Sequence, residues 1–174
     1  MNKCFFFDRD GIVNKRKVGG YIKSYEEFEF IPEFLELFQK TEKLGFLKII
    51  ITNQQGIGKG LMTFDELNKV HNLMQFNLYQ KFGFSFDDIY YSPDLANSGS
   101  KTRKPEPGMI LEAIDKWNID KENSFFLGDS ESDAIAGERA GIKTILIGDF
   151  SENKANFVFS NYTKFINSFE NIVK

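Results

Sequence analysis

Ile49-Ile50-Ile51 is an apolar run with no polar residue interleaved. A strand with one wet face alternates apolar and polar side chains, so a run without alternation predicts a strand covered on both faces, as in a parallel sheet between helices. The rest of the chain supplies what that strand needs. Short apolar runs predict further strands at 4–7, 86–91, 124–127 and 143–147, with the triple isoleucine inside one at 46–51. Segments with helical spacing lie between them. One helix is expected from Pro32, a residue tolerated at the first helical position; it carries Phe34, Leu35, Phe38 and Leu44 and stops at Gly45. A second is expected over 63–82, with Leu67, Val70, Met74 and Leu78 near helical spacing and a capping box at Thr63 and Glu66. Others follow at 109–117 and 134–140, then an extended piece at 156–159 and a terminal helix from Lys164. Strands alternating with helices in this way define βαβ units, and so an α/β, doubly wound three-layer fold with a mainly parallel sheet. With 174 residues the chain has enough material for one well-buried core, so a single domain over 1–174 is expected.

Composition narrows the function classes. The 22 basic and 25 acidic residues give a net charge of −3, which offers no general electrostatic reason to bind nucleic acid or an anionic membrane. Any anion must be held locally. The single cysteine, Cys4, excludes an internal disulfide and a thiolate zinc site, and is read as a small apolar side chain of the first strand. No apolar run approaches the roughly 20 residues of a membrane span, and the run at 4–7 is too brief for a signal-peptide core. A cytoplasmic enzyme or binding module is expected, acting as a monomer. The lone histidine, His71, falls inside the second helix and is read as a surface or packing residue. The 20 phenylalanines, including those between Phe150 and Phe169, are read as packing.

The polar residues that could carry chemistry follow the predicted strands. Asp8 and Asp10 close the first strand with Gly11 behind them; Thr52 and Asn53 follow the second; Lys104 lies in the loop beyond the third; Asp129 and Asp133 follow the fourth. In an open α/β sheet the carboxyl ends of the strands border the ligand crevice, so these groups should converge there. Several carboxylates without histidine or thiolate partners favour a hard cation, with Mg2+ the default. Thr52, Asn53 and Lys104 offer donors and positive charge to a phosphate, and together these groups predict metal-assisted phosphoryl chemistry. Residues i and i+2 of an extended strand end lie about 6.5 Å apart on one side, so Asp8 and Asp10 can address one substrate. One attacks to form an aspartyl-phosphate; Asp10 then protonates the leaving oxygen and afterwards activates water.

These residues resemble the four motifs of the haloacid dehalogenase superfamily phosphatases: Asp8-x-Asp10-Gly11, then Thr52, then Lys104, then Gly128-Asp129 with Asp133. The resemblance spans most of the chain in the family's order. It implies Asp8 as nucleophile and Asp10 as general acid and base. It also implies Thr52 and Lys104 as phosphate binders, and Asp8, the Asp10 carbonyl and Asp129 as Mg2+ ligands supported by Asp133. The stretches from Asp8 to Asn14, Thr52 to Ile57 and Arg103 to Met109 are similar to one branch, the D-glycero-D-manno-heptose 1,7-bisphosphate phosphatases and the related histidinol-phosphate phosphatases. Both are small and essentially capless. That similarity implies Asn53 and Arg103 as substrate-holding residues, and a small phosphorylated metabolite as substrate. It implies removal of the C7 phosphate of the heptose bisphosphate, with histidinol phosphate as the alternative.

Two departures stand out. The branch's zinc loop has its cysteines and histidine where this chain has Ser92, Asp94, Ser100 and Thr102, so no zinc is expected and the loop over 92–102 should be shaped differently. Many members also carry a basic residue after the fourth-motif aspartate, where this chain has Ser130. A phosphate-accepting receiver module of signalling would share the doubly wound fold, but its acceptor aspartate lies on the third strand. Here that strand ends in Tyr90-Tyr91-Ser92.

Overall fold

The central element of the computed structural model, which describes residues 1–173, is strand β1 (Cys4–Phe7). It is flanked by β2 (Leu47–Asn53) and β4 (Phe125–Gly128), and the parallel sheet continues outward to β3 (Asp88–Ser92) on one side and to β5 (Lys143–Ile147) and β6 (Phe157–Phe159) on the other. Helices α1 (Pro32–Lys43), α2 (Phe64–Phe82), α3 (Gly108–Trp117), α4 (Glu131–Ala140) and α5 (Tyr162–Ile172) cover the two faces. The strand order β3-β2-β1-β4-β5-β6 reverses direction at β1. In a doubly wound sheet the crevice opens at such a reversal, beyond the carboxyl ends of the strands.

Both faces of β1 are dry. Phe5 and Phe7 point into one core with Phe34, Phe38, Met74, Phe165 and Phe169, while Cys4 and Phe6 point into the other with Met109, Ile110, Ala113 and Ala136. All four strand residues are fully buried, which explains why the run could not alternate. Phe5 stands 5.0 Å from the Phe7 ring, 5.8 Å from Phe125 and 5.9 Å from Phe169 between centroids, so the phenylalanine-rich tail packs directly on the first strand. Truncating such a ring to alanine costs about 3–5 kcal/mol, because the lost burial is joined by a cavity.

Several element ends differ from the sequence expectation by a few residues, and three of the differences have a clear local cause. β2 runs on through Thr52 and Asn53, because these two pair with Tyr91 and Ser92 of β3. Helix α4 starts at Glu131, three residues before the expected start. Its first turn is tied by Asp133, whose Oδ2 accepts hydrogen bonds from the Ser130 backbone at 3.0 Å and the Ser130 hydroxyl at 2.7 Å. Helix α5 starts at Tyr162, where the Asn161 side chain accepts from the Lys164 N–H at 3.0 Å. Elsewhere the local chemistry acts as expected: the capping box at Thr63 and Glu66 forms, and Gly83, at φ 81°, takes the left-handed conformation that ends α2. No helix among the described residues is long and apolar enough to cross a membrane.

Candidate active site

Asp8 continues the line of β1, its N–H bonded to the Leu127 carbonyl at 2.9 Å, and its side chain is brought to the end of the sheet almost without exposure. Lys104 arrives from the loop before α3. Its ammonium donates to Asp8 Oδ1 at 2.8 Å and to the Ile51 carbonyl at 2.8 Å, and lies 2.6 Å from Asp133 Oδ1. The loop that carries it is clamped by Asn53, whose amide donates to the Lys104 carbonyl and accepts from the Lys104 N–H, both at 3.0 Å. Asn53 lines the cavity, but both polar atoms of its amide are occupied in fixing the lysine. Burial alone would strip Lys104 of its charge; Asp133 and Asp8 outweigh that and hold its pKa above the ordinary value.

Three carboxylates meet beside this lysine. Asp8, Asp129 and Asp133 each offer an oxygen within 4.8 Å of the others. Burial, opposed by Lys104 and reinforced by Asp133 and Asp129, pushes the Asp8 carboxyl up to about 7. Burial likewise raises Asp129 to about 6, against the nearby Arg16 cation. Carboxyls raised by confinement and mutual repulsion are relieved when a cation binds among them. Two further features fit a cation held by oxygen ligands. A Cβ at Gly11 would stand 1.9 Å from Asp129 Oδ2, so only glycine leaves that carboxylate its place. Arg16 Nη2 donates to the Asp129 oxygens at 2.8 and 3.0 Å and lies 3.4 Å from the Asp10 carbonyl, which shows that positive charge is favoured between these two residues. The donor set of Asp8, the Asp10 carbonyl and Asp129 therefore suits Mg2+. Asp133 sits behind it, with one oxygen on Lys104 and the other on the backbone N–H groups of Asp129 and Ser130.

Asp10 lies in a tight turn closed by the Ile12, Val13 and Asn14 N–H groups on the Arg9 carbonyl. Its carboxylate is held by four hydrogen bonds from three donors: Arg9 Nη2 at 3.0 and 2.9 Å, Asn14 Nδ2 at 3.0 Å and Gln54 Nε2 at 2.9 Å. Burial pushes the Asp10 pKa up, but Arg9, Asn14 and Gln54 outweigh it and the net direction is down. Gln54 also donates to Thr52 Oγ1 at 3.0 Å, which leaves the threonine's own hydroxyl proton for a substrate oxygen. A cavity of about 310 Å³ opens onto Asp8, Asp10, Thr52 and Lys104, and its wall includes Arg16, Lys17 and Arg103. Arg103 is braced by the Asp94 carbonyl at 3.0 Å.

Seven of the eight predicted residues line one cavity, and the eighth, Asp129, offers an oxygen within 4.8 Å of those of Asp8 and Asp133; residues that the sequence did not single out join them. Arg16, in a basic stretch that carries no motif, reaches Asp129. Arg9 and His71 were given no role in the chemistry. Arg9 is fully buried on Asp10, and His71, expected at the surface or in packing, is buried with Nε2 3.0 Å from Arg9 Nη1. The one available signal was the charge of Arg9 at the end of a buried strand, which demands partners.

A family model described as HAD-hydrolase-like matches residues 101–164. Over 146 residues the chain is 38% identical to the D-glycero-beta-D-manno-heptose-1,7-bisphosphate 7-phosphatase of Helicobacter pylori (strain ATCC 700392 / 26695), covering 84% of this chain and 83% of that one. The chain belongs to the haloacid dehalogenase-like hydrolases, and it is a phosphatase of that family. Within the family it is also 34% identical over 170 residues to the D-glycero-alpha-D-manno-heptose-1,7-bisphosphate 7-phosphatase of Campylobacter jejuni, across 97% of this chain and 96% of that one. The D,D-heptose 1,7-bisphosphate phosphatase of B. bronchiseptica, solved in complex with magnesium and phosphate, has the same fold with a TM-score of 0.85 and 26% identity, covering 98% of this chain and 99% of that one.

Proposed function

We propose that this phosphatase removes the C7 phosphate of D-glycero-D-manno-heptose 1,7-bisphosphate through a phosphoryl group carried on Asp8, with Mg2+ as the cofactor and the monomer as the working unit. The observation that carries this reading is the number of cations in the cavity wall. Lys104 bonds Asp8, and Arg16, Lys17 and Arg103 line the same cavity, more positive charge than a single phosphate needs. A substrate with two phosphates matches that excess, whereas histidinol phosphate would add its ammonium to it. The relatives named for the heptose bisphosphate support the same choice.

The chain's own residues supply the steps. Lys104 and Thr52 hold the transferred phosphate against Asp8. A bound Mg2+ would sit on Asp8, the Asp10 carbonyl and Asp129, neutralising phosphate charge and keeping the Asp8 carboxyl ionised. An Asp8 oxygen attacks phosphorus, the bond from phosphorus to the C7 oxygen breaks, and that oxygen takes the proton of the Asp10 carboxyl. The Arg9 field favours the Asp10 carboxylate, but a phosphate dianion drawn in beside it opposes that field and raises its proton affinity. Asp10 then takes a proton from water, whose oxygen attacks phosphorus and frees Asp8 and inorganic phosphate.

We also infer that the enzyme works without zinc. At the four positions of the altered loop, the Ser92 hydroxyl donates to Asp94 Oδ2 at 3.2 Å and the Ser100 and Thr102 hydroxyls are 3.0 Å apart, a set of hydroxyls and one carboxylate that satisfies itself by hydrogen bonding. Phosphate release from heptose bisphosphate and histidinol phosphate, measured in parallel with Mg2+, tests the substrate. Faster turnover of histidinol phosphate would overturn the choice.

A further inference from the structure

Arg9 is a charged side chain with 0% exposure. A buried guanidinium is tolerated only where its N–H groups are spent on partners. Nη2 is spent on both Asp10 oxygens, at 3.0 and 2.9 Å, with Gln54 Oε1 at 3.4 Å. Among the described residues, Nε has no partner and Nη1 has one, His71 Nε2 at 3.0 Å. Because a guanidinium only donates, Nε2 must be the bare nitrogen of a neutral imidazole. Burial and the adjacent Arg9 push the His71 pKa down to about 3, which keeps that lone pair available at any working pH.

We propose that His71 is a positioning residue for the reaction: by accepting from Arg9 Nη1 it fixes the guanidinium, whose other arm aims the Asp10 carboxylate at the leaving oxygen. The placement explains why the anchor comes from α2. Asp10 lies in a turn, whereas His71 sits mid-helix between the core residues Val70 and Met74, in a helix of 19 residues closed at both ends. With His71 replaced by an apolar residue, Nη1 is left buried and unpaired. The guanidinium then rotates toward another acceptor and takes the carboxylate with it. A shift of that kind impairs proton transfer without removing any group that touches the substrate.

The inference rests on Asp10 as the proton-handling group, and the experiment separates the two. The readout is kcat/KM with Mg2+ for two substrates, heptose 1,7-bisphosphate and p-nitrophenyl phosphate. This constant covers the steps through departure of the leaving group, so hydrolysis of the phosphoenzyme, common to both, drops out. A sugar alkoxide needs a proton to leave and p-nitrophenolate does not. His71→Leu is expected to lower kcat/KM about tenfold on the sugar phosphate and less than about twofold on p-nitrophenyl phosphate. His71→Gln, which keeps an acceptor, restores most of the loss. Arg9→Lys, without the second arm, shows the same selective loss, and adding His71→Leu to it lowers the value no further. Equal losses on both substrates for His71→Leu, no loss at all, or independent effects of the two substitutions would overturn the proposal. If His71→Leu does not fold, selective loss in Arg9→Lys together with near-normal kcat/KM in His71→Gln supports it, and the absence of either overturns it. Asp10→Asn is the reference: equal losses on both substrates there would overturn the acid role itself, and the positioning role with it.

Discussion

Replacing the nucleophile should make the metal-free protein more stable. Asp8 is almost fully buried among Asp129 and Asp133, and its carboxyl is raised from 3.8 to about 7. The folded state therefore holds a proton that the unfolded chain releases near pH 4, and native stability falls as pH rises from about 4 to about 7. The rise corresponds to roughly 4 kcal/mol at most, fully expressed above about pH 7. Asp8→Asn removes this cost while its amide oxygen still accepts from Lys104. Relaxation of Asp129 in the wild type offsets part of the gain, so about 1–2 kcal/mol is expected at pH ~8. Urea unfolding of both proteins in chelator, at pH values from ~4 to ~8, measures it. The variant should gain nothing at the acid end, gain progressively to about pH 7 and level off above, while its phosphatase activity is lost. A variant equal to or weaker than wild type at pH ~8, or an advantage that does not vary with pH, would refute the electrostatic account of the site.

Protons and cation compete for the same carboxyls. With Asp8 raised to about 7 and Asp129 to about 6, calorimetry should find Mg2+ affinity increasing with pH by about tenfold per unit between 6 and 7, more steeply below 6 where both carboxyls hold protons, and flattening above 7; constant affinity from pH ~5.5 to ~7.5 contradicts this. Arg16 occupies the Asp129 carboxylate, so Arg16→Met should tighten Mg2+ binding to the substrate-free protein about fivefold, the equivalent of one partly exposed ion pair; unchanged or weaker binding speaks against the competition. Metal analysis of the purified protein should find no stoichiometric zinc, and a tightly bound equivalent would show that Ser92, Asp94, Ser100 and Thr102 do not replace a zinc centre.

What could be read from the sequence was what short-range patterns determine. The unalternating runs at 4–7 and 49–51 require a two-sided sheet; polar residues directly after the strands put Asp8, Thr52 and Asp129 at one edge, and the loop beyond the third strand adds Lys104. The start of α4 was hidden because Ser130 and Asp133 look like turn residues. Their role as a helix start, and the ion pair of Asp133 with a lysine 29 positions away, appear only in three dimensions. Arg9 stands between two aspartates, a pattern with nothing in it to announce burial, and the turn after β1 folds it inward onto His71, 62 residues on. Asn53 is expected at the substrate from its place after a strand and from the resemblance; it lines the cavity, and the extension of β2 into pairing with β3 brings its amide onto the Lys104 backbone, a contact the sequence does not announce. Contacts between buried polar groups far apart in sequence leave no periodicity to detect.

The central claim, a phosphoryl group taken from C7 onto Asp8, is tested most directly by acid-quenching the enzyme during turnover of heptose 1,7-bisphosphate with Mg2+. Mass spectrometry of the peptides then locates any phosphoryl group, while 31P NMR identifies the product. The account predicts one phosphoryl group on Asp8 and heptose 1-phosphate in solution. An unmodified Asp8 in turning-over enzyme, or a product that keeps the C7 phosphate, would contradict it.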